Sequence, residues 1–548
     1  MKIKINGEVK DIEKSARISD LFDNPEKKYM AARVNNRLRE LDYIVSSDAD
    51  IELLDITNSD VARIYQSTLR YAIAMALKNV YPHARIVFNF SVSRSIFASV
   101  SNLGHPFQQE NLNVIKKELD RIIQANLPIK RYSVTKDEAI EYYKSMKMFD
   151  KVNVLKYRKE DTVHMYECNG YKNYMFGYML PSTGFLTTFK LSLYTPGFLI
   201  SYPRAETGGT IPEFSDEKVF RQALKDANKW ADITNSSYIS QMNEIVESGK
   251  ALEFINICEA KHNRQLAELG QAISSNIDNI KLICVAGPSS SGKTTFTNRL
   301  RIELKSRGID PLMISIDNYY KEGGNAPLDE NGKPDYEHID ALDRELFNQH
   351  MFDLIQGQEV RLPIYDFKNS KRTFMPAVKL KHHQPILIEG IHALNDMLTP
   401  SIASEDKYKI FIAPLGQYRI DDHNPISFTD IRLIRRMVRD YRDRATDCER
   451  TLSTWSSVRN GEFKWIYPFQ NDADFVFNSE LSYELCVTQK YAIKLLEQVE
   501  SNSPNFITAN RLLKFLKYFK PISDKWIPCN SVLREFIGDS IFYTDDKI

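Results

Sequence analysis

The pattern of hydrophobic and polar positions divides the start of the chain into a strand-rich stretch and a long helix. Residues 2–5 alternate between lysine and isoleucine, as an edge strand would, and the following Asn6-Gly7 favours a tight hairpin turn. Short apolar runs at 31–34 and 51–54 predict two further strands, and apolar residues recur at helical spacing over 60–80. The pattern therefore predicts a small β-rich module followed by a helix.

The rest of the chain is predicted to contain a mixed region and then a regular alternation of strands and helices. The aromatic-rich residues 174–193 predict consecutive strands. A strand–helix alternation from residue 281 to about residue 500 predicts a parallel sheet wrapped by helices. We therefore expect a multidomain α/β protein with five segments: a β-rich module at 1–58, an α+β domain at 59–240, a connecting helix at 241–275, an α/β domain at 276–500, and a tail at 501–548 whose residues 512–516 form a packed helix.

Residues 287–294 read GPSSSGKT and follow the apolar run 282–286. A strand, a glycine-rich turn and a helix beginning near Thr295 form the usual setting of a phosphate-binding loop. The two glycines let backbone N–H groups turn toward phosphate oxygens, and the helix adds its positive N-terminal end. Lys293 can then reach the outer phosphates of a nucleoside triphosphate, and the Thr294 hydroxyl can ligate Mg²⁺. The residues predicted to contact the nucleotide are Gly287, Ser289, Ser290, Ser291, Gly292, Lys293, Thr294 and Thr295.

Two carboxylates each follow an apolar strand in the α/β region. Asp317 comes after residues 314–316, and Glu389 comes after residues 385–388. Open α/β folds bind ligands at the edge where parallel strands end. Asp317 can accept a proton from an attacking hydroxyl or hold Mg²⁺, and Glu389 can bind the metal directly or through water. Taken alone, Asp317 fits a plain strand-end cap equally well.

A run of arginines occupies residues 432–444. The spacing of its first four members places them on one face of a helix. Charged helix faces are usually solvated, but the preference for arginine over lysine favours phosphate binding, because the guanidinium fork matches phosphate oxygens. The run consists of Arg432, Arg435, Arg436, Arg439, Arg442 and Arg444.

Composition narrows the class of protein. The 548 residues carry a net charge of +1, so no general attraction to nucleic acid or to membranes is expected. We see no apolar stretch long enough to span a bilayer and no signal-peptide core near the first residues. The cysteines form no Cys-x-x-Cys pair, which disfavours a zinc ribbon or a disulfide framework and predicts a cytoplasmic location. They are Cys168, Cys258, Cys284, Cys448, Cys486 and Cys529.

With these motifs in order, residues 281–480 resemble the uridine kinase branch of the uridine kinase/phosphoribulokinase family. The order and spacing of the motifs are more specific than the phosphate-binding loop alone. The matching segments are GPSSSGKTT at 287–295, SIDNYY at 315–320, YEHIDALD at 336–343, PIYDF at 363–367, IEGIH at 388–392 and RLIRRMVRD at 432–440.

This resemblance implies a P-loop kinase domain, ATP and Mg²⁺ as cofactors, and a nucleoside as phosphate acceptor. It implies that Asp317 activates the nucleoside 5′-hydroxyl and that Mg²⁺ is held near Thr294, Asp317 and Glu389. The remaining implied roles are a nucleoside pocket lined by Tyr320, Tyr365 and Arg436, ribose binding by Glu337, and phosphate clamping by Arg439 and Arg444 beside Lys293.

The sequence departs from the family pattern at four positions. Family members usually carry aspartate where this chain has Glu337, and commonly proline where it has Ile339. Uridine and cytidine kinases tend to have a base-reading histidine in place of Ser370 and a further arginine in place of Thr446. Because loss of the histidine removes a specific hydrogen bond to the pyrimidine, these departures concern the identity of the base more than the reaction.

The N-terminal half resembles two modules of threonyl-tRNA synthetase. Residues 1–58 are similar to its TGS-type β-grasp module through VNNRL at 34–38, Leu41-Asp42, and SDADIEL at 47–53. Residues 61–200 are similar to its editing-type second domain, through 67–82 and 181–191. We therefore interpret residues 59–240 as an editing-like domain.

That editing-type domain usually carries His-x-x-x-His and Cys-x-x-x-His. Here none of the aligned residues is a usual zinc ligand or general base, so we expect a degenerate scaffold that binds no stoichiometric zinc and does not deacylate tRNA. The nearby His164 and Cys168 are interpreted as structural. The aligned positions are Ser67, Tyr71, Met175 and Met179. A modest basic stretch, interpreted as a solvated helix face, comprises Lys116, Lys117, Arg121, Lys130 and Arg131.

Three functions remain open at this point. The leading one is an ATP-dependent kinase of uridine or a related pyrimidine nucleoside, fused to the synthetase-like region. The second is an RNA- or tRNA-binding regulatory protein whose nucleotide domain senses ATP; the near-neutral charge disfavours it. The third is a kinase of another small hydroxylated metabolite. The sequence leaves open the base, the phosphate donor, the oligomeric state (a homo-oligomer included) and the purpose of the fusion.

Overall fold

The computed structural model describes residues 1–216, 218–328, 332, 334–366, 369–416 and 418–542. Phe367, which ends the motif at 363–367, and residues 543–548 of the predicted tail lie outside the described residues. In the described ranges, no helix combines the length and the apolar character needed to cross a membrane.

Residues 1–58 form a mixed sheet in which hairpins flank a parallel central pair. The predicted turn at Asn6-Gly7 is confirmed, since both residues have positive φ, 45° and 97°. The predicted strands at 31–34 and 51–54 are also confirmed. The strands are β1 (Lys2–Ile5), β2 (Glu8–Asp11), β3 (Ala16–Arg17), β4 (Ala31–Val34), β5 (Arg37–Arg39), β6 (Ile44–Val45) and β7 (Ala49–Leu54). Five of them pair in the order β2-β1-β7-β4-β5, with β1 parallel to β7, and β3 pairs with β6.

The next region is built on one long buried helix and two antiparallel sheets. Asn58 caps the helix, because its side chain accepts hydrogen bonds from the N–H groups of Asp60 and Val61. One sheet has the order β13-β14-β9-β8 and the other β10-β11-β12. The elements are α1 (Ser59–Val80), β8 (Arg85–Val92), β9 (Ser95–Ser101), α2 (Gln109–Gln124), β10 (Lys130–Thr135), α3 (Lys136–Ser145), α4 (Phe149–Leu155), β11 (Thr162–Cys168), β12 (Tyr171–Asn173), β13 (Lys190–Tyr194) and β14 (Gly197–Ser201). The predicted helix over 60–80 is therefore confirmed.

The prediction of consecutive strands over 174–193 was wrong. Residues 174–189 contain no strand, and β13 begins only at Lys190. Side chains elsewhere take the place of a neighbouring strand: the N–H of Met179 donates to Glu40 Oε1 (3.1 Å) and that of Leu180 to Thr68 Oγ1 (3.0 Å). Apolar and aromatic residues of this segment pack into the core, and these two N–H groups are satisfied without a strand ladder.

Three helices lead into the α/β region. They are α5 (Lys218–Ile233), α6 (Ile239–Glu247) and α7 (Ala251–Ser274). A single connecting helix was predicted for residues 241–275. This prediction was wrong, because the helix is interrupted between α6 and α7. Gly249 lies in this break at φ 74°, a left-handed conformation that favours glycine.

The α/β region contains a five-stranded parallel sheet in the order β16-β19-β15-β20-β23, which confirms the predicted alternation. The central strand β15 is buried at every residue, as expected for a sheet covered on both faces. The elements are β15 (Leu282–Ala286), α8 (Lys293–Ser306), β16 (Leu312–Ser315), α9 (Arg344–Ile355), β17 (Pro363–Asp366), β18 (Lys371–Phe374), β19 (Ile386–Glu389), β20 (Lys407–Ala413), β21 (Arg419–Asp421), β22 (Asn424–Pro425), α10 (Phe428–Asp443), α11 (Cys448–Trp465), β23 (Phe475–Asn478) and α12 (Glu484–Leu496).

The C-terminal residues pack back onto earlier parts of the chain. The predicted helix at 512–516 belongs to α13 (Phe506–Leu516), and a short helix α14 (Arg534–Ile537) follows. Near α13, Asn36 Nδ2 donates to the carbonyl of Ser501 (2.8 Å), and the Arg37 guanidinium lies over the Phe506 ring (5.6 Å). The first and last segments of the described chain are therefore in contact.

The N-terminal half and the α/β region meet at a buried ion pair. Lys151 Nζ in α4 lies 2.9 Å from Asp421 Oδ1 in β21, and the two side chains are 1% and 0% exposed. Asp421 also accepts hydrogen bonds from the N–H of His423 (2.8 Å) and from Asn424 Nδ2 (2.7 Å). Beside it, Arg85 Nε donates to Asp422 Oδ2 at 2.7 Å.

Replacing Lys151 by methionine should destabilise the protein by about 3–5 kcal/mol, because it leaves the buried Asp421 carboxylate without its cation. Urea unfolding followed by circular dichroism measures this loss. A second change, Asp421→Asn, should restore part of it, since the amide carries no charge. Lys144→Met is the matched control: its pair with Glu141 is exposed, so we expect a loss under about 1 kcal/mol. Equal losses for the two lysine variants would contradict the prediction.

Candidate active site

The predicted phosphate-binding loop joins β15 to α8. The helix begins at Lys293, two residues before the predicted start at Thr295. Gly292 has φ 90°, and a Cβ at Gly287 would lie 2.1 Å from the carbonyl oxygen of Ile412. The backbone therefore follows a path that side chains at these two positions would block.

Three hydroxyl groups of the loop are buried without a hydrogen-bond partner in the described part of the chain. They belong to Ser290, Ser291 and Thr295. Buried polar groups are normally satisfied, so orphaned hydroxyls beside a helix N-terminus fit a polar, anionic ligand. The loop residues are thus compatible with the triphosphate that the sequence predicts.

Lys293 lies against this loop. Its Nζ donates to the carbonyl oxygens of Gly287 (2.9 Å) and Pro288 (3.3 Å). Burial lowers the pKa of Lys293, and the nearby Glu389 and Asp317 carboxylates act in the opposite direction. The lysine therefore places a half-buried positive charge beside the loop and near two carboxylates.

Those carboxylates lie at the carboxyl ends of neighbouring strands. Glu389 is the last residue of β19, whereas Asp317 follows β16 in a 3-10 turn, two residues beyond the strand end. Ser315 Oγ donates to Glu389 Oε1 at 3.0 Å. Burial and the Asp317 charge raise the pKa of Glu389 to about 7, while burial also raises that of Asp317. Two neighbouring carboxylates near one lysine, with the Thr294 hydroxyl at the start of α8, form a donor set that suits Mg²⁺.

The four predicted nucleoside-binding residues lie near one another beside the loop. The rings of Tyr320 and Tyr365 are 5.9 Å apart. Burial raises the pKa of Glu337, and the nearby Arg436 lowers it. Arg436 Nη1 in turn donates to Ser289 Oγ at 2.8 Å.

Asp440 holds three of the predicted arginines together. Arg436 Nε lies 3.2 Å from Asp440 Oδ2, and Arg439 Nη2 and Arg444 Nε lie 2.7 Å and 3.6 Å from Oδ1. Arg444 and Arg439 also lower the pKa of Asp317, so their charges reach the carboxylate site. Sequence reasoning missed Asp440 as an organising residue, although it ends the motif at 432–440.

Two other arginines of the run do not face a ligand. Arg432 pairs with Glu462, and Arg435 Nε donates to Glu484 Oε1 at 2.9 Å. All four side chains are buried. Arg432 Nε also donates to the carbonyl of Ser289 (2.9 Å). The interpretation of these two arginines as phosphate clamps was wrong, because each is neutralised by a buried carboxylate. Their role is structural, and Arg432 supports the loop through the Ser289 carbonyl.

Two carboxylates that sequence reasoning missed bind N–H groups of the loop. The N–H of Ser289 donates to Glu462 Oε1 (3.1 Å), and that of Thr295 donates to Glu535 Oε2 (3.0 Å). Glu535 belongs to α14, and a Cβ at Gly292 would lie 2.4 Å from Val532 Cγ1 just before that helix. The C-terminal segment therefore packs directly on the start of α8.

The positions aligned with the editing-type metal site are packed into the N-terminal core. Tyr71 Oη donates to the carbonyl of Tyr171 (2.7 Å), Ser67 Oγ accepts from Arg70, and the side chains of Met175 and Met179 are buried. Across the described ranges, no group of three or more His, Cys, Asp or Glu residues could hold a metal ion.

Comparison with known proteins identifies the α/β region. The Phosphoribulokinase / Uridine kinase family profile matches residues 282–483. A uridine kinase of Halalkalibacterium halodurans is 29% identical over 217 residues, which are 39% of this chain and 94% of that protein. A uridine kinase of Ligilactobacillus salivarius is 30% identical over 213 residues, 38% of this chain and 91% of its own length. A solved structure of a possible uridine kinase from Bacillus stearothermophilus matches 36% of this chain and 89% of its own at 19% identity, with a TM-score of 0.25 that is too low to carry weight. Through residues 282–483 the chain is a phosphotransferase with an alcohol group as acceptor, and it belongs to the phosphoribulokinase / uridine kinase family.

Proposed function

We propose that the protein transfers the γ-phosphate of ATP to the 5′-hydroxyl of uridine or a related pyrimidine nucleoside. The observation that carries the proposal is the position of Asp317, a solvent-accessible carboxylate close to Lys293 at the edge of the sheet that also carries the phosphate-binding loop. A general base and a phosphate site at one sheet edge are what direct phosphoryl transfer needs.

Bound Mg²⁺–ATP supplies the phosphoryl group and neutralises part of its charge. The loop N–H groups and Lys293 would hold the phosphates, and Thr294, Asp317 and Glu389 would hold Mg²⁺. Asp317 orients the acceptor hydroxyl and takes its proton. Arg439 and Arg444, held by Asp440, stabilise the charge on the phosphoryl group as it moves.

The acceptor would lie between the tyrosines and the arginine helix. Tyr320 and Tyr365 offer ring faces for a planar base, and Glu337 with Arg436 offers polar groups for ribose hydroxyls. The uridine kinases among the relatives support a pyrimidine nucleoside as acceptor. Because Ser370 stands where those kinases tend to have a base-reading histidine, the proposal leaves the identity of the base to experiment.

A nucleoside panel tests this proposal. The full-length protein is incubated with ATP, Mg²⁺ and each of uridine, cytidine, adenosine, guanosine and thymidine, and 5′-monophosphates are separated by chromatography. We expect turnover of at least one pyrimidine nucleoside, with the others slower. Turnover of purine nucleosides alone would refute the pyrimidine assignment, and no product from any nucleoside would refute the nucleoside assignment.

We also infer that residues 1–58 are a TGS-like module and residues 59–240 an editing-like domain without hydrolytic chemistry. The parallel central pair β1–β7, flanked by hairpins, supports the first inference. The buried Met175 and Met179 at aligned ligand positions support the second.

Glu535→Gln should tighten ATP binding about tenfold, or roughly 1.4 kcal/mol. The Glu535 carboxylate bonds the Thr295 N–H and lies near Lys293, where the proposed triphosphate would bring further negative charge. Calorimetric titration with a non-hydrolysable ATP analogue and Mg²⁺ measures the change. Asp539→Asn removes an exposed charge from the same segment and serves as the control. An unchanged Kd for Glu535→Gln, or an equal gain for Asp539→Asn, would contradict the prediction.

A further inference from the structure

A large cavity lies between the N-terminal half and the kinase region. Its volume is about 1520 Å³, beyond the roughly 300–1,000 Å³ of ordinary small-molecule pockets. Its walls come from the first module, α1, the three-stranded sheet β10-β11-β12, α11 and α13. The catalytic residues proposed above (Lys293, Asp317, Arg439 and Arg444) do not line it.

Four cations converge on one end of this cavity. Arg39 Nη1 donates to Tyr178 Oη at 3.2 Å, and the Arg131 guanidinium lies 5.3 Å from the centre of the same ring. Arg158 Nη1 donates to the hydroxyl of Tyr518 at 2.9 Å, close to the end of α13. The fourth member, Lys514, lies in α13. We call Arg39, Arg131, Arg158 and Lys514 the cation cluster.

The members of the cation cluster act on one another electrostatically. Lys514 is exposed to solvent, yet partial desolvation lowers its pKa, and the charges of Arg131, Arg39 and Arg158 lower it further. His164 is affected similarly, with its pKa lowered by burial and then by nearby cations that include Arg131. The interpretation of Lys130 and Arg131 as part of a helix face was wrong, because both lie on strand β10; they are exposed, and Arg131 borders the cavity.

Carboxylates neutralise only part of this charge. Glu160 lines the cavity 3.8 Å from Arg158, but it is 62% exposed. Glu40 lies close enough for Arg131 to lower its pKa, yet it already accepts hydrogen bonds from the Tyr166 hydroxyl and from the Met179 N–H. Elsewhere in the cavity, Asp430 is paired with Arg511. Four cations thus face two carboxylates, and Lys514 has no hydrogen bond or ion pair within the described residues.

We propose that this cavity is a second anion site, separate from the phosphate-binding loop, which binds a small molecule carrying several phosphate groups. Arginine forks match phosphate oxygens in geometry, and three of the four cations are arginines. Tyrosine hydroxyls at 178 and 518 are placed among them by the same hydrogen bonds. Several phosphate charges at one place are needed to balance the surplus of cations.

The cavity also reaches the back of the phosphate-binding loop. Pro288 and Arg432 line it, and Arg432 Nε donates to the carbonyl of the next loop residue, Ser289. The cavity that holds the cation cluster therefore also borders residues that support the loop.

Calorimetric titration of the full-length protein with sodium tripolyphosphate at low salt tests the proposal. We expect binding that persists in Lys293→Ala, because that substitution affects only the loop. In the Lys293→Ala background, the added changes Arg131→Gln and Lys514→Gln should weaken binding at least tenfold. Lys514→Arg should retain it, and Lys517→Gln, which removes a charge just beyond α13 but outside the cavity lining, should leave it unchanged. Thermal unfolding of each variant verifies that it is folded.

Four results would overturn the proposal. The first is tripolyphosphate binding that Arg131→Gln and Lys514→Gln leave intact in the Lys293→Ala background. The second is an absence of binding at millimolar tripolyphosphate in that background. The third comes from a parallel titration with a 12-nucleotide single-stranded RNA: tight RNA binding without tripolyphosphate binding would assign the cavity to a macromolecule instead. The fourth applies if Arg131→Gln does not fold: a loss of tripolyphosphate affinity below twofold in Lys514→Gln, measured in the same background.

Discussion

Replacing Lys293 by alanine should lower kcat for phosphoryl transfer by about 100- to 1,000-fold, the usual effect of removing one preorganised charge from a transferring group. The Lys293 ammonium is half-buried, beside the loop carbonyls and near the Asp317 and Glu389 carboxylates. Without it, the proposed β- and γ-phosphates would lose their fixed cation while both carboxylates remain. Steady-state kinetics with ATP, Mg²⁺ and the best nucleoside of the panel measures the loss.

Lys305→Ala is the matched control for this prediction. Lys305 lies in the same helix α8 but pairs with Asp310 near the surface, 2.9 Å away. We expect its kinetics to match those of the unaltered protein. Near-normal activity in a folded Lys293→Ala variant would refute the role of the loop in catalysis.

Asp317→Asn should reduce kcat by about 100-fold or more, because the amide keeps the shape of the side chain but cannot take the hydroxyl proton. Binding of the ATP analogue should persist, since the loop and Lys293 are unchanged. Desolvation raises the pKa of Asp317, while the charges of Lys293, Arg444 and Arg439 lower it, and the net shift is upward. Single-turnover kinetics separates the chemical step from binding.

An Asp317→Asn variant that keeps more than about a tenth of kcat, a loss under roughly 1.4 kcal/mol, would exclude Asp317 as the base. Asp310→Asn provides the control, because Asp310 is a surface carboxylate that pairs with Lys305. Loss of ATP-analogue binding in Asp317→Asn would instead indicate that Asp317 acts mainly through the metal.

The sequence predicted those parts of the fold that depend on neighbouring residues. The hairpin at Asn6-Gly7, the helix over 60–80 and the strand–loop–helix at 282–306 follow from local patterns, and the structure has all three. The break at Gly249 could have been anticipated from its glycine. The irregular path of residues 174–189 could not, because Glu40 and Thr68 satisfy its backbone from far away in the chain.

The same distinction applies to the candidate site. Lys293, Asp317 and Glu389 were predicted from motifs that end strands or begin a helix, and they lie close together. Glu462 and Glu535 bind loop N–H groups across 173 and 240 residues of chain, a separation at which sequence pattern gives no signal. The burial of Arg432 and Arg435 depends on the distant Glu462 and Glu484, so helical spacing alone placed them wrongly.

The Lys151–Asp421 pair has a consequence for the boundaries of the protein as a folding unit. The bacterial uridine kinases match this chain over most of their own length, so by sequence the kinase part looks separable. In this chain, however, cutting away the N-terminal half would strip Asp421 of its cation and expose Asp422 without Arg85. The hairpin β21–β22 therefore ties the two halves into one cooperative unit. We expect the two halves to unfold in a single transition in a calorimeter. A kinase fragment would fold independently only if Asp421 and Asp422 in this hairpin were replaced.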